Sequence, residues 1–412
     1  MVREYKDSGI TWIGRIPQDW NTTKLGSLYT QRNEKVSDKD YAPLSVTMQG
    51  ILPQLETAAK TDDGDNRKLV KKGDFAINSR SDRRGSCGIS PYDGSVSLIN
   101  TILKPRGEMN PNFYNWLFHT SPFADEFYKW GHGIVDDLWT TGWQEMKKIT
   151  VPFPTAIVQE KIADFLDQKC SEIDALTADI QTQIETLEEY KKSVITEAVT
   201  KGLDPNVEMN DSGVEWIGKI PADWDVFKGK YVLKYLQKPV KKEDDVITCF
   251  RDGEVTLRKN RREDGFTMSD KEIGYQGVDV GDLVVHGMDG FAGAIGISDS
   301  RGKASPVLNV LDSSMVKKFL MYYLRSMAYG NVFTAIATGI RVRSCDLRWN
   351  KLANLPYPVP PFEEQRQIAD FLDQKCSEID QTISEKQLQL ETLAEYKKSL
   401  IYEYVTGKME VD

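Results

Sequence analysis

Guanidinium groups gathered in a turn can grip phosphate or pair two-pronged with the edge of a guanine, and this chain offers several such groupings. Arg80-Ser-Asp-Arg83-Arg84-Gly85 follows Phe75 to Asn78, a run that reads as a strand, which places Arg80, Arg83 and Arg84 in a turn. Arg258-Lys259-Asn260-Arg261-Arg262 is denser and suits phosphate contact. Arg341-Val-Arg343, just after Thr338-Gly339-Ile340 and in register with Gly133-Ile134, suits base reading. Asn66 and Arg67, followed by Lys68, form a weaker grouping. The plain alternative for each is solvated surface charge. A true two-pronged base contact is worth about 1–3 kcal/mol of discrimination, whereas a phosphate contact raises affinity for every sequence alike.

Other chemistries find less support. Asn110-Pro-Asn-Phe113 lacks the second proline of the N-P-P-F motif of amino-methyltransferases, no F-x-G-x-G cofactor loop precedes it, and it reads as a turn before a helix. Asp137 with Glu145-x-Lys147 has the outline of a metal-dependent nuclease, yet Trp143 to Ile149 repeats the surroundings of Trp349 and reads as scaffold. There is no G-x-x-x-x-G-K-[ST] phosphate loop. His119, His132 and His286 show no partner residues, and Cys87, Cys170, Cys249, Cys345 and Cys376 are odd in number and lack C-x-x-C spacing. They read as reduced thiols rather than disulfides or metal ligands. No catalytic group and no metal site is assigned.

What must position the arginines is a duplicated scaffold. DSGITWIGRIPQDW (Asp7 to Trp20) returns as DSGVEWIGKIPADW (Asp211 to Trp224), identical at 10 of 14 positions and offset by 204. IADFLDQKCSEID (Ile162 to Asp174) returns unchanged at Ile368 to Asp380, and ETLEEYKKSVITEAVT from Glu185 returns as ETLAEYKKSLIYEYVT from Glu391, both offset by 206. Between them, residues 21–140 and 225–346 share only traces, such as Gly73-Asp74 with Gly281-Asp282 and Gly88-Ile-Ser with Gly296-Ile-Ser. The net charge of −9 divides along the same lines. Residues 157–210 hold 5 basic against 12 acidic side chains and 363–412 hold 6 against 12, while 21–156 hold 17 against 16 and 225–362 hold 21 against 16.

From Val158 to Thr200 there is no Gly or Pro, and Leu166, Ile173, Ile180, Leu187 and Val194 recur every seven residues, with Ile162, Leu176 and Tyr190 in the adjacent row. That spacing predicts a coiled-coil helix, stopped by Lys201-Gly202. Its copy from Glu363 to Thr406 keeps Leu372, Ile379, Leu393 and Leu400 but puts Lys386 where Ile180 stands, a local break in the seam. Each helix follows a proline-rich edge, Val151-Pro-Phe-Pro154 or Pro356-Tyr-Pro-Val-Pro-Pro361. The inserts read as α/β, with short strands such as Leu98 to Leu103 and Asp282 to His286 and helices at Phe113 to Phe118 and Val316 to Met327. Two such helices should pair antiparallel, giving two globular domains with small β-sheets in a pseudo-twofold arrangement, able to address a duplex about one turn, or ~34 Å, apart. The expected division is 1–156 and 203–362 for the two domains, 157–202 and 363–412 for the helices. Trp12 and Trp216, Trp20 and Trp224, Trp143 and Trp349 occupy equivalent repeat positions and read as packing; Trp130 and Trp139 flank a Gly-His-Gly turn.

The W-I-G-x-I-P-x-x-W segment before each insert and the prolines followed by Q-x-x-I-A-x-F-L-D after it resemble those of type I restriction-modification specificity subunits, over essentially the whole chain. One departure stands out: the acidic residue before the glutamine is Glu364 in the second copy but Val158 in the first. The resemblance implies two target-recognition domains binding a bipartite, asymmetric double-stranded DNA site, no catalytic activity, and recruitment of two methyltransferase subunits and of restriction subunits in defence against phage. It implies no cofactor on this chain, with S-adenosylmethionine, ATP and Mg²⁺ on the partners. The absence of an apolar run of roughly 18–20 residues and of a signal-like N-terminus makes a cytoplasmic protein the expectation.

Overall fold

The computed structural model describes residues 3–54, 64–80, 83–133, 139–261, 272–336 and 347–411. The chain folds as two units, residues 1–180 with 388–412, and residues 181–387. Both long helices contribute to both units. The first runs Ala156–Lys201 and the second Phe362–Val405, after which the chain leaves the helix at Gly407, whose φ of +72° favours glycine.

The sequence-divergent inserts share one topology. In the first unit four antiparallel strands lie in the order Cys87–Ile89, Phe75–Asn78, Asn100–Pro105, Tyr29–Arg32; in the second the order is Ile295–Ile297, Leu283–His286, Leu308–Ser313, Leu233–Tyr235. The traces of similarity fall at one structural point. Gly73 N–H donates to Ser90 O and Ser90 N–H to Asp74 O (both 2.8 Å), and Gly281, Ser298 and Asp282 repeat the exchange at 2.8 and 2.9 Å. Each aspartate is held by a cation, Asp74 by Arg32 at 2.6 Å and Asp282 by Lys238 at 2.7 Å. Gly88 and Gly296 persist because backbone passes against them: a Cβ would come within 2.9 Å of Gly50 Cα or 1.9 Å of Gly253 O.

A helix covers each sheet, Pro111–Phe118 in one unit and Lys317–Tyr329 in the other. In the first unit Phe75, Phe113, Phe118 and Phe123 form the centre of a core that takes in Ile162, Leu166 and Ile173 of the first long helix and Leu400, Ile401 and Tyr404 of the second. In the second unit Phe319, Leu320 and Tyr323 pack with Ile195, Ala198 and Val199 and with Ile368 and Leu372. The two helices run antiparallel within each unit. Asp174 meets Lys397 at 2.6 Å and Phe165 meets Tyr404 with ring centroids 4.5 Å apart; in the other unit Asp380 meets Lys191 at 2.5 Å and Gln183 accepts from Lys386.

The heptad reading needs correction along its length. Leu166, Ile173 and Ile180 are buried, as are Leu372, Ile379 and Leu400, but Leu187, Val194 and Leu393 are only half-buried. The adjacent row fails further on, with Leu176 and Tyr190 about half exposed at 47% and 49% while Ile184 and Ile195 are buried instead. A straight helix drifts from a strict seven-residue repeat, and near its end the apolar stripe must face a globular domain as well as its partner helix. No described helix is long and apolar enough to cross a membrane.

Candidate nucleic-acid interface

In the first unit, strand Phe75–Asn78 ends on Asn78, whose side-chain oxygen accepts from Arg80 N–H at 3.0 Å and turns the chain. Thr140 then bridges both Arg80 and His132, sewing the arginine turn to the Gly-His-Gly turn. Arg80, Arg83 and Arg84 line the mouth of one small pocket with Phe118, Phe127 and Trp139, of about 20 Å³, enough for a single water. Arg84 is held from two sides. It lies 4.4 Å above the Tyr128 ring and bonds Asp125 at 2.8 Å, both contacts coming from helix Ser121–Lys129. Cation-π stacking restricts the guanidinium to a plane and leaves its edge to solvent. Trp139 donates to Tyr128 O at 2.9 Å and Trp130 to Glu126 at 2.9 Å, so both unpaired tryptophans pack rather than present an indole N–H.

Arg67 is not part of this surface. It is a buried strand residue, 4% exposed, that donates to Ser95 Oγ at 2.8 Å and Ser95 O at 3.0 Å, and burial lowers its pKa. Its grouping therefore dissolves: alternation along the strand turned Arg67 inward, Lys68 bonds Asn100 O at 2.7 Å, and Asn66 stays half-buried in the preceding turn.

In the second unit the basic cluster is a short turn after the hairpin Ile247–Cys249 and Val255–Leu257, and local groups hold each of its described members. Arg258 donates to Thr248 Oγ1 at 3.2 Å, Lys259 pairs with Asp245 at 2.5 Å, and Asn260 donates to Thr256 Oγ1 at 2.8 Å. Arg261 pairs with Asp252 at 2.6 Å and Glu254 at 2.8 Å and lies 4.2 Å above the Phe250 ring. Arg262, Arg341 and Arg343 lie outside the described residues. Among the described residues, each unit thus presents an exposed arginine laid over an aromatic ring and braced by carboxylate. Sequence inspection missed the braces, Asp125 with Tyr128 and Asp252 with Glu254, although the i, i+3 spacing of the first pair places both on one helix face.

The scaffold around these turns explains the repeated glutamines. Buried Gln159 accepts from Asn110 N–H and donates to Pro154 O, both at 2.8 Å; Gln365 accepts from Val316 N–H at 2.9 Å and donates to Pro360 O at 2.8 Å. Each glutamine ties the start of a long helix to the helix that covers its sheet. Trp224 donates its indole N–H to Glu364 at 2.9 Å, whereas Trp20, with Val158 at the equivalent position, keeps its buried indole N–H unpartnered.

Cys87 Sγ lies 3.7 Å from His119 Nε2, but complete burial pushes the thiol pKa far up and keeps it protonated. Cys170, Cys249 and Cys376 are also free and buried, and among the described residues no three His, Cys, Asp or Glu groups converge on a metal position.

No family model matches the chain. The type I restriction enzyme MjaVIII specificity subunit of Methanocaldococcus jannaschii is 25% identical over 427 aligned residues, spanning 96% of this chain and 94% of that protein. The fold matches a chain of a type I R-M system solved to show complex assembly and conformational transition, with a TM-score of 0.71, 14% identity and coverage of 96% and 99%. It also matches the HsdS subunit of Thermoanaerobacter tengcongensis, with a TM-score of 0.55, 14% identity and coverage of 96% and 98%. From end to end, in sequence and in fold, the chain resembles the specificity subunits of type I restriction-modification systems.

Proposed function

We propose that the chain is the non-catalytic DNA sequence-specificity subunit of a type I restriction-modification complex, each unit reading one half of a bipartite, asymmetric site. The observation that carries this reading is a duplicated scaffold presenting two domains of one topology and unrelated surface sequence. Identical scaffolds with identical readers would suit a symmetric site; different readers suit an asymmetric one. Arg80, Arg83 and Arg84 act in the first unit; in the second, Arg258 to Arg262 grip phosphate and Arg341 and Arg343 read bases. The acidic long helices dock two methyltransferase subunits and restriction subunits, and S-adenosylmethionine, ATP and Mg²⁺ act on those partners.

Long-read sequencing of host DNA with and without the gene tests this. Methyladenine at one split motif should vanish on deletion; a methylome that does not change while the partner subunits are expressed would sink the reading. Metal-dependent cleavage or methyl transfer by the purified chain alone would point to an enzyme instead.

A further inference from the structure

The two units share a one-turn helix set between equivalent strands, Leu25–Leu28 after Asn21–Lys24 and Gly229–Val232 after Asp225–Lys228. The backbone is fixed in the same way in both. Leu25 and Gly26 donate to Ile149 O and Lys147 O at 3.0 and 2.9 Å; Gly229 and Lys230 donate to Leu355 O and Ala353 O, both at 2.8 Å. What the fold requires here must therefore be present in both copies. Apart from Lys24 and its equivalent Lys228, the solvent-facing side chains differ: Thr23, Gly26, Ser27, Thr30 and Glu145 of the first copy stand where the second has Phe227, Lys230, Tyr231, Lys234 and Lys351.

Those five replacements take the formal charge from −1 to +3 and add two aromatic rings, while Lys147 and Lys148 of the first copy give way to Ala353 and Asn354. Phe227 and Tyr231 are 44% and 69% exposed, large aromatic areas with no role in the core. Lys230 Nζ sits 4.8 Å from the centre of the Tyr231 ring. Lys228, Lys230 and Lys351 form no ion pair with a described residue. Lys234 lies opposite Asp312, whose carboxylate is bonded to Lys317 at 3.1 Å, and Asp225 is the one acid on the adjoining strand. In the first unit the same turn is covered by Arg106, which donates to Gly26 O and Ser27 O at 2.7 and 3.0 Å and so serves the backbone.

Lysines of which only Lys234 faces a carboxylate across a strand pair, interleaved with exposed rings, match the phosphates and bases of a nucleic acid better than an acidic protein, which would leave the ring faces unmatched. We propose that the surface of Phe227, Lys228, Lys230, Tyr231, Lys234 and Lys351 is a second, sequence-independent nucleic-acid contact, its exposed aromatic rings found in the second unit only, and separate from the basic turn at Arg258 to Arg261. It rests on the chain being the DNA-binding subunit, and it adds a phosphate-backbone contact beyond the half-site. The phosphates belong either to duplex flanking the site or to an unpaired strand.

The test uses the full chain assembled with its methyltransferase subunits, with anisotropy binding of duplex and single-stranded oligonucleotides across a salt series. Lys230→Gln with Lys234→Gln and Lys351→Gln should flatten the slope of log affinity against log salt by roughly 2 to 3, and weaken binding at low salt about tenfold, with the motif unchanged. A second variant carries the first copy's residues, Phe227→Thr and Tyr231→Ser, on a backbone already shown to accept them. Its loss of single-strand binding alone would identify an unpaired strand as the source, while equal loss on duplex would identify the flank. A salt slope equal to wild type in the lysine variant overturns the proposal, as does a changed base motif. Loss of a partner subunit with DNA affinity intact overturns it in favour of an acidic protein face. Failure of the unmutated complex to bind any DNA would instead remove the functional reading itself.

Discussion

Two buried indoles that differ by one neighbour show what a single residue decides. Trp224 has Glu364 to accept its N–H, and burial holds that carboxyl above its ordinary range; Trp20 has Val158 at the equivalent position and no acceptor, with Arg3 lying 5.9 Å from its ring. A buried donor left unpaired costs about 1–3 kcal/mol. Glu364→Val should therefore lower the stability of the second unit by about that much in denaturant titration, while Val158→Glu, which supplies an acceptor, should be far less damaging than a carboxylate placed elsewhere in the core. His286 makes a pH-dependent counterpart to Asn78. Its Nδ1 accepts from Met288 and Asp289 N–H at 3.2 and 2.9 Å, a role open only to the neutral ring. Burial holds its pKa below the ordinary value of 6.5, Arg251 pushing the same way and Asp289 opposing. With the folded pKa depressed, the unfolded chain binds the proton more tightly, so the stabilisation is complete above that ordinary value and declines as pH falls through it. The protection factors of the Met288 and Asp289 amides against hydrogen exchange should fall as pH drops below about 6.5, whereas that of Arg80 N–H, held by Asn78, should show no such titration. Replacement His286→Asn should abolish the difference.

At the scale of elements, the glutamines matter more than the apolar seam around them. Each is the only side chain described as joining the amide at the start of a sheet-covering helix to the carbonyl of the proline edge. Gln365→Leu keeps volume but strands Val316 N–H and Pro360 C=O, at about 1–3 kcal/mol for each group that water cannot reach. A lowered melting temperature with the helix content of the folded state intact is the expected result; a variant as stable as wild type would show that solvent replaces the glutamine. By contrast, Lys191 with Asp380 and Lys397 with Asp174 are exposed pairs at equivalent positions, worth a few tenths to 1 kcal/mol each. They matter for the register of the helices more than for their stability.

For the whole molecule, the formal charge of −9 is an average over unlike parts, with the acid concentrated on the two helices and the base on the domains, the second above all. The functional reading predicts a corresponding division of labour. Exchange of residues 21–150 for those of a related subunit should alter only one half of the methylated motif, read by long-read sequencing; a change in both halves would mean that the units do not read independently.

Repetition made the scaffold legible. Two copies of Ile162 to Asp174 without a change, and a stretch free of Gly and Pro, define the helices and their antiparallel partnership because periodicity is a local property. The domains were legible only as pattern. Strand Phe75–Asn78 was readable, but the order of strands was not, since pairing partners are distant in sequence and the residues that bring them together, such as Asp74 with Arg32, lie 42 positions apart. Tertiary structure alone decided which cations face solvent: it turned Arg67 onto Ser95, laid Arg84 over Tyr128, and left Lys230 and Tyr231 outside. Sequence counts charges; burial and the carboxylates or rings folded against them settle which remain available to a polyanion.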